Sequence, residues 1–173
     1  EQEIAKAEAI EKRLEKVIIQ HYQSANNEEE IELEITEKYV IEITDTEKDM
    51  LYYAVANEVG NNYLTDESRM LVASVVINRV LSEDFPDTVI EVLSAEGQFT
   101  EAYRNYYSHK IEPSDNVKKC VEEVLQHGSI TDATYYYAPK YTSRKTSNWF
   151  ENELEFVYEC DNQRFFKEKG ENK

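Results

Sequence analysis

The sequence predicts an α+β fold, a mainly helical body joined late in the chain by a small antiparallel sheet. Three observations predict it. Apolar residues recur at helical spacing through DMLYYAVANEV, RMLVASVVINRVL and VKKCVEEVL in the middle of the chain. Capping residues precede these runs and glycines follow two of them, Gly60 and Gly128. From Ala133 onward the composition turns β-branched and aromatic, in ATYYYAP, NWF, LEFVYEC and then RFFK after the turn DNQ.

The elements can be justified in order. Residues 3–22 suit a helix whose stripe is Ile10, Leu14, Val17, Ile18 and His21, with His21 read as a packing residue. Docking on the domain, pairing with another protein or copy of the chain, and service as a stalk all remain open for it. After a loop at SANNEEE, IELEIT and YVIEIT alternate apolar with polar residues and suggest two short strands, an acidic hairpin with a solvated face. Residues 1–43 thus form a helix and acidic arm, and 44–173 form the main domain. Thr44 with Glu47, or Thr46 with Asp49, makes a capping box, so a helix runs from near residue 46 to Val59 and stops at Gly60. Asp66 caps a second helix, apolar on most faces and therefore central to the core. FPDTVIEVLS is a short third helix, GQF a glycine-opened turn and TEAYRNYY helical again; Ser114 caps the helix that closes at Gly128.

Charge narrows the function. With 36 acidic against 19 basic residues the net charge is -17, which repels nucleic acids and anionic lipid surfaces. The front fifty residues hold a large share, 15 acidic against 6 basic. No apolar run is long enough to span a bilayer and no signal-peptide pattern is visible. The chain opens without methionine, and the expectation is an extracytoplasmic protein, secreted or membrane-anchored, whose export signal or anchor lies upstream. Cys120 and Cys160 belong to no metal-binding spacing; one disulfide and two free thiols both remain open. His21, His109 and His127 are scattered, so Ser143 and Ser147 have no partners for a catalytic triad.

One residue breaks the helical pattern. Glu58 shares a stripe with Leu51, Ala54 and Val55, at i, i+3, i+4 and i+7, just before the helix stops. A carboxyl group shielded there, at the negative end of the helix dipole, is expected to ionise reluctantly. Such a group is a general acid. Glu67, Glu96 and Glu101 are candidates for a second carboxylate, with Glu67 foremost, although an acid in the first turn of a helix is also simply favourable with its dipole.

Four blocks carry a resemblance: LYYAVANEVG, ESRMLVASVVINRVLSEDFPDTVIEVL, GQF, and ATYYYAPKYTSRKTSNWF leading to QRFFK. Over residues 46–167 the chain resembles the cell-wall hydrolase family typified by the spore cortex-lytic enzymes. The resemblance implies a lysozyme-like, transglycosylase-type fold and cleavage of peptidoglycan glycan strands between N-acetylmuramic acid and N-acetylglucosamine. It implies no metal and no cofactor. Glu58 is the position that matches the family's catalytic acid. The sequence also departs from the pattern. About two extra residues separate Glu58 from Asn78, and NNYL replaces a stretch that usually holds a second acid. Ala138 stands where asparagine is expected, and Gln163 where histidine is frequent.

With one acid evident, the reading is a lytic transglycosylase, in which the muramic acid C6 hydroxyl attacks intramolecularly. Gln98 and Phe99 are then expected to form a groove wall, the amide on an acetamido group and the ring on a sugar face. Tyr135, Tyr136 and Tyr137 alternate along a strand, so one or two of them face the groove. Trp149 and Phe150 are expected in the core. A noncatalytic glycan-binding or wall-assembly module on the same fold is the alternative, and a coiled-coil interaction protein a third.

Overall fold

The structure, a computed structural model, describes residues 39–170. The expected helix at 3–22 and the first acidic strand at IELEIT lie outside the described residues. The order of elements is α1 (Asp45–Val59), α2 (Asp66–Val80), α3 (Val89–Ser94), α4 (Thr100–Ser108), α5 (Asp115–His127), β1 (Tyr135–Tyr137), a 3-10 turn (Pro139–Tyr141), α6 (Arg144–Glu153), β2 (Leu154–Cys160) and β3 (Gln163–Glu168). It is an α+β fold, mainly helical, with one three-stranded antiparallel sheet in the order β1-β3-β2.

YVIEIT is not a strand. Tyr39–Ile43 runs irregularly into α1: the Val40 amide donates to the Leu125 carbonyl at 2.7 Å and Ile41 is buried in the core. Its alternation reflects packing on the end of α5 rather than pairing with another strand.

Thr44 caps α1 with a complete capping box to Glu47. Gly60 follows in a right-handed conformation, where a Cβ would lie 2.3 Å from the Ala56 carbonyl oxygen. Close approach, rather than a left-handed cap, therefore demands glycine there. The cap of α2 is Thr65, one residue earlier than expected, and Asp66 occupies the first turn. Leu71, Val72, Val75, Val76 and Ile77 of α2 are all fully or almost fully buried, which makes it the central helix. Burying each such side chain contributes roughly 1.5–3 kcal/mol. α1 and α5 pack against α2, and α4 lies along α1.

The sheet has its own small core of Tyr137, Leu154 and Phe166, joined by Tyr135 and Phe150. Its other face meets the helical body through Phe165 and Tyr136. This division follows strand alternation, with Tyr136 opposite Phe165 and Tyr137 opposite Arg164 in the register. Asp161 and Asn162, at φ 48° and 61°, make the two-residue turn between β2 and β3, for which left-handed Asp and Asn are well suited. NWF, which continues the aromatic texture of the sheet region, is helical: Ser143 caps α6 by accepting from the Thr146 amide. Cys120 is buried and Cys160 half-buried, and both are free thiols.

Candidate active site

The end of α1, the turn before α4, strand β1 and the segment through α6 surround a cavity of about 1380 Å³. This exceeds the roughly 300–1,000 Å³ common for small-molecule pockets and suits a polymeric ligand. Glu58 lines it, half-buried, one residue before α1 stops. Its stripe mates Leu51, Ala54 and Val55 are wholly enclosed. The same face that anchors α1 in the core therefore emerges at its last turn into the cavity, and Glu58 is the residue that meets the open space.

Two donors hold the carboxylate. The Tyr136 hydroxyl donates to Oε2 at 2.7 Å, and the Asn57 amide donates to Oε1 at 3.3 Å. Burial, and then the negative charge of Glu58, pushes the Tyr136 hydroxyl well above its ordinary pKa. It therefore stays protonated and remains a donor to Glu58. The Tyr136 ring is fixed by stacking on Phe165 at 5.6 Å and by Phe99 at 6.1 Å.

The expected groove residues meet here. Gln98, Phe99, Tyr135, Tyr136 and Tyr137 all line the cavity. Their roles in the packing differ. Gln98 is exposed after Gly97, whose φ of 73° turns the chain, while Phe99 is buried and forms floor rather than rim. Tyr137 is nearly buried, donates to Glu151 at 2.6 Å and stacks on Phe166. Tyr135 donates to Glu168 at 2.6 Å, and burial, followed by that bond, pushes its hydroxyl up to about 12.

The candidates for a second carboxylate are not brought to Glu58. Glu67 lines a different, smaller depression with Asp132 and Tyr158, and accepts from the Tyr158 hydroxyl at 3.0 Å. Glu96 is exposed, Glu101 pairs with Arg104 at 2.7 Å, and neither lines the cavity. The carboxylates that do share it with Glu58 are Glu159 and Asp161, which sequence reasoning missed. Both have other partners. Glu159 pairs with Arg164 at 2.5 Å. Asp161 accepts from the Thr65 amide at 2.7 Å and the Thr65 hydroxyl at 2.8 Å, and the backbone bond holds its carboxyl below the usual range.

Two further residues escaped the sequence reading. Arg79, only 3% exposed, lines the cavity and donates from Nε to the Thr134 carbonyl at 2.7 Å. Its guanidinium lies over Phe85, Phe99 and Tyr135, at 5.0, 5.3 and 5.4 Å from the ring centroids. Burial draws its pKa below the ordinary value. With Asn78, which donates to the carbonyls of Thr131 and Ala133, it pins the approach to β1 and so places Tyr136. The signal was a cation at the end of the apolar run of a helix. Trp149, expected in the core, is 46% exposed and lines the cavity; Phe150 does join the sheet's core, as partly buried packing. Ala138 and Gln163, where the sequence departs from the family pattern, also line it; Gln163 is 7% exposed and its Oε1 has no hydrogen-bond partner.

No curated protein sequence matches the chain. Among solved structures it is similar to the catalytic domain of the Bacillus cereus SleB protein, with a TM-score of 0.61 and 24% identity over 73% of this chain and 93% of that one. It is similar as well to the catalytic domain of the germination-specific lytic transglycosylase SleB from Bacillus anthracis, with a TM-score of 0.59 and 24% identity over 72% of this chain and 96% of that one. These likenesses show a shared fold. The profile of a protein family described as cell wall hydrolase matches residues 65–166, from the cap of α2 to the end of the sheet's aromatic core. The match begins after α1, so Glu58 stands outside it. Since the matched region is more than half of the sequence, the chain belongs to the cell wall hydrolase family.

Proposed function

We propose that the protein is a lytic transglycosylase that cuts peptidoglycan glycan strands between N-acetylmuramic acid and N-acetylglucosamine, with Glu58 as its single catalytic acid and base. One observation carries the reading. Of the three carboxylates lining the cavity, Glu159 is tied to Arg164 and Asp161 to Thr65, neither of which lines it, whereas Glu58 is held by neutral donors, Tyr136 and Asn57, that line the cavity themselves.

The reaction then needs no second carboxylate. The Tyr136 hydroxyl bonds Oε2 and the Asn57 amide bonds Oε1, which holds the carboxyl group at the cavity wall, and in its acid form that group carries the proton the reaction needs. Glu58 gives this proton to the glycosidic oxygen as the bond from C1 to that oxygen breaks. The muramic acid C6 oxygen bonds to C1, and its proton passes to the Glu58 carboxylate, which restores the acid. Hydrolysis would require a base or nucleophile placed near the acid to handle water or the sugar. Gln98 is exposed to take an acetamido group, and Phe99 supports the floor beneath Tyr136. A substrate of this kind places the action outside the cytoplasm. Among the described residues, no helix is long and apolar enough to cross a membrane. The Bacillus anthracis relative, itself described as a lytic transglycosylase, agrees with the proposed chemistry.

Glu58→Gln should lower kcat on purified peptidoglycan by about 10²–10⁴-fold, the share usual for general acid-base catalysis, with the melting temperature unchanged. Mass spectrometry of the products should find 1,6-anhydro ends. Reducing ends carrying an added water would overturn the intramolecular step, and full activity in the Gln variant would overturn the assignment of Glu58.

A further inference from the structure

The lining of the cavity is chemically uneven. One stretch, contributed by the end of α1, the following loop and the turn before α4, presents side-chain amides: Asn57, Asn61 and Gln98. The stretch from Ala138 to Phe150 is different, presenting the rings of Tyr141 and Trp149 with Ala138 and Pro139, interspersed with Lys140, Thr142 and Thr146. Tyr141 is 81% exposed and Trp149 46% exposed. Large aromatic surface left open to water loses the free energy that burial would return. A tryptophan in a helix beside a folded aromatic core had apolar neighbours available to enclose it.

Trp149 is open yet braced. Its ring meets Tyr135 edge-on at 6.2 Å and Phe150 edge-on at 5.2 Å, with interplanar angles of 71° and 86°. Tyr135 in turn lies under the buried Arg79, and Phe150 packs on Phe166. Fixed neighbours of this kind hold the indole in place before anything binds, which reduces the entropy lost on association. Pyranose rings offer faces of C–H bonds that pack on aromatic rings, while their edges carry hydroxyl and acetamido groups that need hydrogen bonds. The amide stretch and the aromatic stretch supply these two needs separately. Ala138 adds a methyl group to the lining on that side.

We infer that Trp149, flanked by Tyr141, is a sugar-stacking platform, a subsite on which one N-acetylhexosamine ring of the glycan strand packs its face while its polar edge turns toward the amides. The inference rests on the proposed glycan-cleaving function and adds to it a specificity residue beyond Glu58. It predicts that recognition at this subsite depends on the shape of the ring face rather than on directed bonds to the acetamido group.

The chain contains a single tryptophan, so its fluorescence reports on this position alone. The full-length Glu58→Gln variant is titrated with the tetramer of N-acetylglucosamine, following tryptophan emission and calorimetric heat in parallel. Emission should shift to the blue and saturate with the heat. Trp149→Ala, in the same background, should weaken binding about tenfold, equivalent to about 1.4 kcal/mol, and Trp149→Phe should recover most of the loss. In the otherwise wild-type enzyme, Trp149→Ala should raise KM with little change in kcat. Heat without any change in emission, undiminished affinity in Trp149→Ala, or the absence of binding to the tetramer would each overturn the platform. Failure of the functional reading is separate: it shows as undiminished peptidoglycan cleavage by Glu58→Gln, whatever the emission does.

Discussion

The helical body and the small sheet are held together by different means. Around α2 the packing is aliphatic, and Val72, Val75, Val76 and Ile77 are wholly enclosed. The sheet's own small core is Tyr137, Leu154 and Phe166, with Tyr137 tied to Glu151 and Arg164 bridging Glu151 and Glu159. One region is stabilised by volume and area, the other by aromatic contacts and polar bonds near the surface. The lesson concerns the site, which draws Glu58 from the first region and Tyr136 from the second.

The comparison can be broken by three experiments of decreasing effect. Ile77→Ala leaves a void in the helical core and should cost about 2–5 kcal/mol in denaturant unfolding, with helical circular dichroism and Trp149 emission lost together. If the tryptophan on the sheet side kept its native signal while the helices melted, the body would not be the support of the whole. Tyr136→Phe removes a hydrogen bond to a charged group, an interaction of about 1.5–3 kcal/mol. It should lower kcat at least tenfold with a smaller effect on stability, and an unchanged kcat would mean that the sheet contributes nothing to the acid. The smallest effect, about 1–2 kcal/mol, is expected from Asp161→Ala, which frees the amide and hydroxyl of Thr65.

The last variant also has a pH signature. The Asp161 carboxyl is held below its ordinary pKa by the Thr65 backbone bond, so the folded state binds a proton less readily than the unfolded chain. Its contribution is complete above the ordinary carboxylate value of about 4 and disappears as the pH falls through the folded value. Asp161→Ala should therefore flatten the loss of stability as the pH falls below about 4. An identical acid profile in both proteins would show that the clasp between the sheet turn and α2 carries no weight.

Helical elements were legible in the sequence because each signal was local. Thr44 with Glu47, the apolar run of α2 and Ser114 with Gly128 act within a few residues of where they stand. The position of Glu58 at the cavity was legible for the same reason, since a single helical stripe contains both its core anchors and itself. What escaped depends on contacts between distant residues. Trp149 was assigned to the core because tryptophan is usually buried, and its exposure depends on the path of the chain from β1 through α6. Arg79 reads as one of two cations in a mostly apolar helix, and its value comes from rings and a carbonyl up to 56 positions away. Glu159 and Asp161 reach the cavity only because the sheet hairpin folds back, with Asp161 bonding Thr65 across 96 positions. The alternation in YVIEIT was a true sign of one buried side, misread as strand because burial of alternate residues needs no pairing partner.

The bond between Tyr136 and Glu58 joins residues 78 apart. A nascent or clipped polypeptide that ends before Tyr135 contains the acid but neither the hydroxyl that orients it nor the aromatic side of the groove. The cavity around Glu58 is therefore complete only when the last strands of the chain have been added.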